Sequence, residues 1–263
     1  MYDFSYQRPA SIADAVQALG AADAKALAGG MTLIPVLKQR LNRPATLVDL
    51  SKLGLSGIQV SGDFVGVGAM TPHADVAHST DIQRALPALA ALASMIGDKE
   101  VRHRGTIGGS LANNDPAADY PAAALALGAT IRTDKRAVAA DDYFKGLFET
   151  ALQPGELITA VQFPIPARAA YQKFKNPASR YAIVGVFVSN GPMGIRVAVT
   201  GAGQNGVFRH KEIEAALTKK WAPESLDGIT TPAAGLNSDI HAGADYRAHL
   251  IGVLAKRAVA STV

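Results

Sequence analysis

The chain contains no cysteine. That absence excludes a disulfide framework, a cysteine-ligated zinc, an iron–sulfur cluster held by this chain alone and a thiol nucleophile. Aromatic residues are scarce, at 6%. The densest basic run is only Arg102-His103-Arg104. A nucleic-acid surface needs clustered cations with stacking aromatics, so no nucleic-acid partner is expected. No stretch reaches the ~20 apolar residues of a membrane span. The longest alanine-rich run, Ala85 to Ile96, is short and carries Pro87. The N-terminal MYDFSYQRPA lacks the basic-then-apolar layout of an export signal, which favours the cytoplasm. The six histidines are His73, His78, His103, His210, His241 and His249. None pairs with another at i, i+4, so no metal site is expected. No serine sits in a G-x-S-x-G elbow.

What remains is a chain of 263 residues, 48% hydrophobic and 18% charged. At roughly 100–200 residues per domain, that makes one large or two modest domains with a sizeable core. The net charge of +4 is mild and suits a small anionic ligand.

Ser11 before an apolar stripe at Ile12, Ala15, Val16 and Leu19, with Gly20 behind, predicts a short capped helix. Ala24 to Ala28 and Thr46 to Leu50 read as strands. Thr32 is placed to cap a helix from Leu33 to Leu41. Gly57 to Gly68 alternates about a Ser-Gly-Asp turn, a hairpin pattern. Ile82 to Ile96 reads as one helix, and Pro121 to Leu127 as another before a strand at Ala129 to Arg132. Phe163-Pro164-Ile165-Pro166-Ala167-Arg168 has the texture of a linker. Beyond it, Ala182 to Val188 and Gly194 to Thr200 read as strands joined at Asn190-Gly191-Pro192. Ile213 to Leu217 and Tyr246 to Val259 read as helices. The expected division is 1–167, with subdomains 1–53 and 54–167, followed by 168–263.

Two glycine-rich segments carry the chemistry. One is Leu27-Ala28-Gly29-Gly30-Met31-Thr32-Leu33-Ile34-Pro35. The other runs from Arg104-Gly105-Thr106-Ile107-Gly108-Gly109-Ser110 to Asp119 and reads as a loop. Glycine admits φ > 0 and lets a phosphate approach without a Cβ clash. Successive N–H groups then converge on an anion. Thr32, Thr106 and Ser110 add hydroxyl donors. Two such loops suit a diphosphate, although a pair of tight turns needs no ligand at all. Asp115 before Pro116 reads as a cap, and Asp119 as the carboxylate left for a ribose-type hydroxyl. A rival motif, Gly201-Ala202-Gly203-Gln204-Asn205-Gly206, matches G-x-G-x-x-G. Its nearest acid at the right spacing, Glu224, lies in an Ala-Pro-Glu-Ser turn and not at a strand end, so it reads as a strand-ending loop.

Three stretches resemble the FAD-binding medium subunit of molybdenum hydroxylases, the family of the bacterial xanthine dehydrogenase, aldehyde oxidoreductase and carbon monoxide dehydrogenase types. They are Leu27 to Lys38 (LAGGMTLIPVLK), Ile96 to Asp119 (IGDKEVRHRGTIGGSLANNDPAAD) and Arg180 to Val186 (RYAIVGV). The resemblance runs from Phe4 to the C-terminal helix. It implies an α+β fold: a two-subdomain FAD-binding domain of the vanillyl-alcohol-oxidase (PCMH) type, then a smaller α+β C-terminal domain covering the flavin. It implies that Ala28, Gly29, Gly30, Met31, Thr32, Leu33 and Ile34 wrap the pyrophosphate, and that Thr106, Gly108, Gly109 and Ser110 form a second phosphate and flavin loop. Asp119 matches the acid on the ribityl or adenosine side. Ile96 and Ile158 match apolar residues at the cofactor, Lys175 a lysine near the flavin and Tyr181 an aromatic near its ring. Met31 replaces the family's frequent Gln, His or Asn, Thr32 its Ser, and Arg180 the Asp that often precedes the Tyr.

The resemblance further implies an electron-transfer subunit. A large partner would carry molybdopterin, and a small partner two [2Fe–2S] clusters, in a heterotrimer or a dimer of heterotrimers. Electrons would pass through FAD to NAD, a quinone or O₂, with co-export to the periplasm as an alternative location. The readings that compete are a stand-alone NAD(P)-binding domain built on Gly201 to Gly206, and a scaffold without FAD.

Overall fold

The computed structural model describes residues 1–262. The first unit is β1 (Ser5–Gln7), α1 (Ile12–Leu19), β2 (Ala24–Leu27), α2 (Leu33–Lys38) and β3 (Thr46–Asp49). Its strands are parallel in the order β1-β3-β2. Ser11 caps α1 as its position predicts, its hydroxyl accepting the Asp14 N–H at 3.1 Å. Thr32 does not cap α2: its own backbone is already helical, at φ −101 and ψ −49, so the hydroxyl is turned away from the orphan amides.

The second unit opens with the expected hairpin, β4 (Ile58–Ser61) and β5 (Phe64–Gly68), which pairs Ser61 with Phe64. Six helices follow: α3 (His73–His78), α4 (Thr80–Ala85), α5 (Pro87–Ser94), α6 (Lys99–Arg104), α7 (Ile107–Asn113) and α8 (Tyr120–Leu127). Then come β6 (Thr130–Thr133), β7 (Ala137–Ala139), α9 (Ala140–Tyr143), β8 (Phe144–Gly146), β9 (Glu149–Thr150) and β10 (Ile158–Pro164). The antiparallel sheet runs β4-β5-β10-β6-β7, with β8 and β9 as a separate hairpin.

Two expectations fail here for local reasons. The single helix over Ile82 to Ile96 is broken at Leu86, whose φ is −147, because Pro87 has no N–H to give and disfavours a helical residue before it. The segment from Gly105 is not a loop throughout, because Gly108 and Gly109 lie inside α7. Thr106 nucleates that helix by accepting the Gly109 N–H at 3.1 Å. Gly108 is there for packing, since a Cβ would lie 2.6 Å from the Ala69 Cβ.

The third unit is β11 (Arg168–Lys175), β12 (Ala182–Gly191), β13 (Gly194–Thr200), β14 (Phe208–Arg209), α10 (Lys211–Lys219) and α11 (Ala244–Ala260). The strands are antiparallel in chain order. The ladder between β12 and β13 continues to Gly191 and Gly194, so the turn is Pro192-Met193, two residues later than the sequence suggests. Phe163 and Pro164 end β10, and Arg168 begins β11, which leaves only 165–167 between the sheets. Ala182 to Val188 is buried throughout. One side of that sheet packs on α8 and the other on α11, which is why its pattern is continuous and not alternating. Tyr171, Phe187 and Ala198 join the core of the second unit.

Candidate functional site

The two glycine segments meet. A Cβ on Gly29 would fall 1.9 Å from the Arg104 carbonyl oxygen and 2.9 Å from the Gly105 Cα. Gly29 is therefore required by backbone-on-backbone contact. Gly30 is required by conformation, at φ +76. Around this junction opens a cavity of about 640 Å³, within the roughly 300–1,000 Å³ range of ligand pockets. Of the residues singled out in the sequence, Ala28, Gly29, Gly30, Met31, Thr32 and Leu33 line it from one side. Thr106, Gly108, Gly109 and Ser110 line it from the other. Ile96, Asp119, Ile158 and Tyr181 complete that set. Ile34 and Lys175 do not line it. Ile34 turns back beneath Gly30, where a Cβ would meet its Cδ1 at 2.6 Å.

The donors are distributed unequally. Among the described residues, the N–H groups of Gly29, Gly30, Met31, Thr32 and Leu33 have no partner in the chain. In the second segment the amides are spent, that of Thr106 excepted. Ile107 donates to Thr71 O at 3.2 Å, Gly108 to Ala69 O at 2.8 Å and Ser110 to Thr106 O at 3.0 Å. Gly109 donates to Thr106 Oγ1. The expectation that both segments present rows of backbone amides to an anion is corrected for Ile107 to Ser110 of the second. The Thr106 cap and the docking of α7 against Ala69 consume those groups, and what is left there is the Thr106 N–H and side chains such as the Ser110 hydroxyl.

Asp119 sits at the floor, 4% exposed. Tyr171 donates to its Oδ1 at 2.5 Å, and Lys173 Nζ lies 2.9 Å from each oxygen. Lys173 also donates to Met95 O at 3.1 Å, beside Ile96. Burial pushes the Asp119 carboxyl above its usual range, opposed by the Lys173 charge and the Tyr171 hydroxyl. The carboxylate expected to serve a ligand is thus engaged first by the third unit. Asp115 accepts the Ala117 N–H at 2.9 Å and closes a turn; no helix begins at Pro116, so the N-cap expected of it does not form. At the rim, Arg180 adopts φ +62 and donates to Gly97 O at 3.4 Å. Tyr181 is half-exposed beside it, its hydroxyl held protonated by burial and by the nearby Asp115 and Asp119.

Glu156, also in the wall, is held by Arg136 Nε at 2.9 Å, Thr133 Oγ1 at 2.8 Å and the Gln153 N–H at 2.7 Å. These contacts, Arg136 foremost, lower its pKa to about 2. Among residues not singled out in the sequence, Asn113, His73 and Glu156 line the cavity, and Lys173 reaches Asp119 from the third unit. His73 was set aside as a lone histidine. Its one usable signal is its place shortly after the hairpin, four residues beyond Ala69, whose carbonyl receives the Gly108 N–H.

The rival glycine motif serves packing. A Cβ on Gly201 would lie 2.4 Å from Ala182 O, and one on Gly203 would lie 2.5 Å from Gly206 O. The strand that follows, β14, is the antiparallel neighbour of β13 and not the parallel partner of a nucleotide-binding βαβ unit.

Residues 2–166 match the family model described as FAD binding domain in molybdopterin dehydrogenase. The carbon monoxide dehydrogenase medium chain of Afipia carboxidovorans is 37% identical, over 97% of this chain and 95% of its own. The nicotine 6-hydroxylase medium subunit of Paenarthrobacter nicotinovorans is 34% identical, over 97% and 95%. Among solved structures, reconstituted CO dehydrogenase from Oligotropha carboxidovorans superposes with a TM-score of 0.89 at 36% identity, covering 99% of this chain and 98% of that one. Quinoline 2-oxidoreductase from Pseudomonas putida 86 gives 0.86 at 30%, covering 99% and 97%.

Proposed function

The chain belongs to the FAD-binding family of molybdopterin dehydrogenases, as a medium subunit of the molybdenum hydroxylase kind, and from that premise we propose that its central cavity seats FAD across the junction of the two glycine segments. The observation that carries this is the row of unpartnered amides at Gly29 to Leu33. Five consecutive amide donors without a partner in the chain suit a ligand rich in oxygen, and a pyrophosphate is one. The Thr32 and Ser110 hydroxyls add donors on the two sides. Ile96, Ile158 and the Tyr181 ring provide apolar surface for the ring systems. The cavity volume and this donor set fit the cofactor.

When bound, FAD accepts single electrons and releases them in pairs. We assign their source to iron–sulfur clusters of a small partner, fed by a molybdopterin-bearing large partner, and their exit to NAD, a quinone or O₂. We place the FAD-binding unit at 1–167, divided near 53, with the covering unit from 168 onward. The chain's own part is to hold the dinucleotide, keep Tyr181 over its open side and exclude bulk water from the floor through the Lys173–Asp119–Tyr171 cluster.

The test is titration of the apo chain with FAD, followed by quenching of flavin fluorescence. Gly30→Val, which forces a β-branched residue to φ +76, should abolish binding. Gly203→Val, in the rival motif, should leave affinity unchanged. The opposite pair of results would move the cofactor to the third unit.

A further inference from the structure

His73 is the side chain in the cavity wall whose bonding is unaccounted for. It opens α3 and is 5% exposed. Its backbone N–H donates to Gly105 O at 2.9 Å, which fixes the ring against the turn between α6 and α7. A Cβ on Gly105 would lie 2.6 Å from His73 Nε2, so ring and turn are in contact. The same turn receives Gly29. His73 therefore stands where the two glycine segments meet, in the lining of the same cavity.

Among the described residues, neither ring nitrogen has a hydrogen-bond partner, and Nδ1 is sealed from solvent. Buried polar side-chain atoms nearly always find a partner. Charging the ring is no remedy: burial and the like charge of Arg102 lower its pKa to about 4. At neutral pH it carries one N–H and one lone pair. Nδ1 is closed in near Tyr120, with ring centroids 5.3 Å apart. The Tyr120 hydroxyl is likewise buried without a partner, and a hydroxyl can donate or accept. Nδ1 is sealed from solvent, so a proton held there could reach no ligand. Nε2, the nitrogen on the Gly105 side, is the one that can present an N–H to the cavity.

We propose that His73 is a FAD-binding residue: a neutral imidazole, protonated on Nε2, that donates to an oxygen of the pyrophosphate–ribityl stretch. It supplies on the second side what the amides of α7 cannot. The proposal rests on the FAD reading of the cavity.

Two measurements on the full chain test it. Long-range ¹H–¹⁵N correlation of the ¹⁵N-histidine-labelled apo chain should show His73 as the Nε2–H tautomer, and adding FAD should shift that nitrogen. FAD titration should show weakening on the order of tenfold for His73→Phe, as expected for one lost hydrogen bond to an anionic acceptor. His73→Gln, which keeps a donor, should recover most of the affinity. Circular dichroism establishes that each variant is folded. If His73→Phe does not fold, the tautomer and His73→Gln decide. An Nδ1–H tautomer, or an unchanged affinity in folded His73→Phe, overturns the role of His73 while leaving the cavity reading intact. A wild-type chain that binds no FAD overturns both.

Discussion

Lys173→Met removes one half of the ion pair beneath the cavity, and its cost follows from the surroundings. The side chains of Lys173 and Asp119 are 1% and 4% exposed. Without the ammonium, the carboxylate keeps only the Tyr171 hydroxyl, in a position where burial already opposes its charge. Breaking a buried pair from one side costs roughly 3–5 kcal/mol. For a chain of this size, about 1 kcal/mol moves Tm by ~2–4 °C, so the midpoint should fall by roughly 6–20 °C. Asp119→Leu, which strands the ammonium, should cost a similar amount. The double variant should cost less than either single, because no unpaired charge is left behind. Scanning calorimetry on the apo chain measures all three. The pH dependence has a definite sign. With Lys173 gone, the folded carboxyl titrates above its unfolded value, so the folded state binds more protons and the deficit of Lys173→Met should shrink as pH falls. Additive single costs, or a deficit that grows in acid, would refute the account of this cluster as a mutually dependent unit.

Gly29→Ala forces a Cβ to within 1.9 Å of a carbonyl oxygen. Overpacking of that kind costs typically ~1–3 kcal/mol, and separating the segments should weaken FAD in the same fluorescence titration. Glu156 titrates at about 2 in the folded chain against an ordinary 4.5, with hydrogen bonding from Arg136 as the largest cause. Its stabilisation is therefore complete above pH 4.5 and is lost as pH falls towards 2. Glu156→Gln should lower stability at neutral pH by roughly 1–3 kcal/mol and flatten the acid limb of a stability–pH curve. An acid limb unchanged in slope would assign that limb to other carboxylates.

The elements with one local cause were legible in the sequence. Ser11 and its apolar stripe specified α1, and the Ser-Gly-Asp turn specified the β4–β5 hairpin. Most of the residues singled out in the sequence do line the cavity, because glycines that tolerate no Cβ mark close approaches. What failed depended on contacts that sequence distance hides. The helix through Gly108 and Gly109 runs against helix propensity and persists because Ala69 leaves no room for a side chain there. Lys175 does not line the cavity, and it is Lys173, two residues earlier, that reaches Asp119. Lys173 and Lys175 have the same parity along a strand and should share a face, but the register slips between Phe174 and Lys175. The irregularity leaves Lys173 on Asp119 and Lys175 exposed.

The two Gly-Gly segments look alike and work in opposite ways, and the position of one hydroxyl decides which. In the second, Thr106 precedes the glycines with an extended backbone, φ −119 and ψ 153, so its oxygen reaches forward to the Gly109 amide and closes the helix end. In the first, the hydroxyl of Thr32 follows the glycines and its backbone is helical, so no side chain reaches the amides before it. The first segment leaves its backbone donors without partners in the chain, and the second spends most of its own on rigidity. On the reading proposed above, a diphosphate lying between them would be held by main chain on one side and mainly by side chains on the other. Affinity on the main-chain side would be vulnerable to backbone strain at Gly30. On the other side it would be vulnerable to loss of single donors such as Ser110 and His73, whose removal should leave the fold in place.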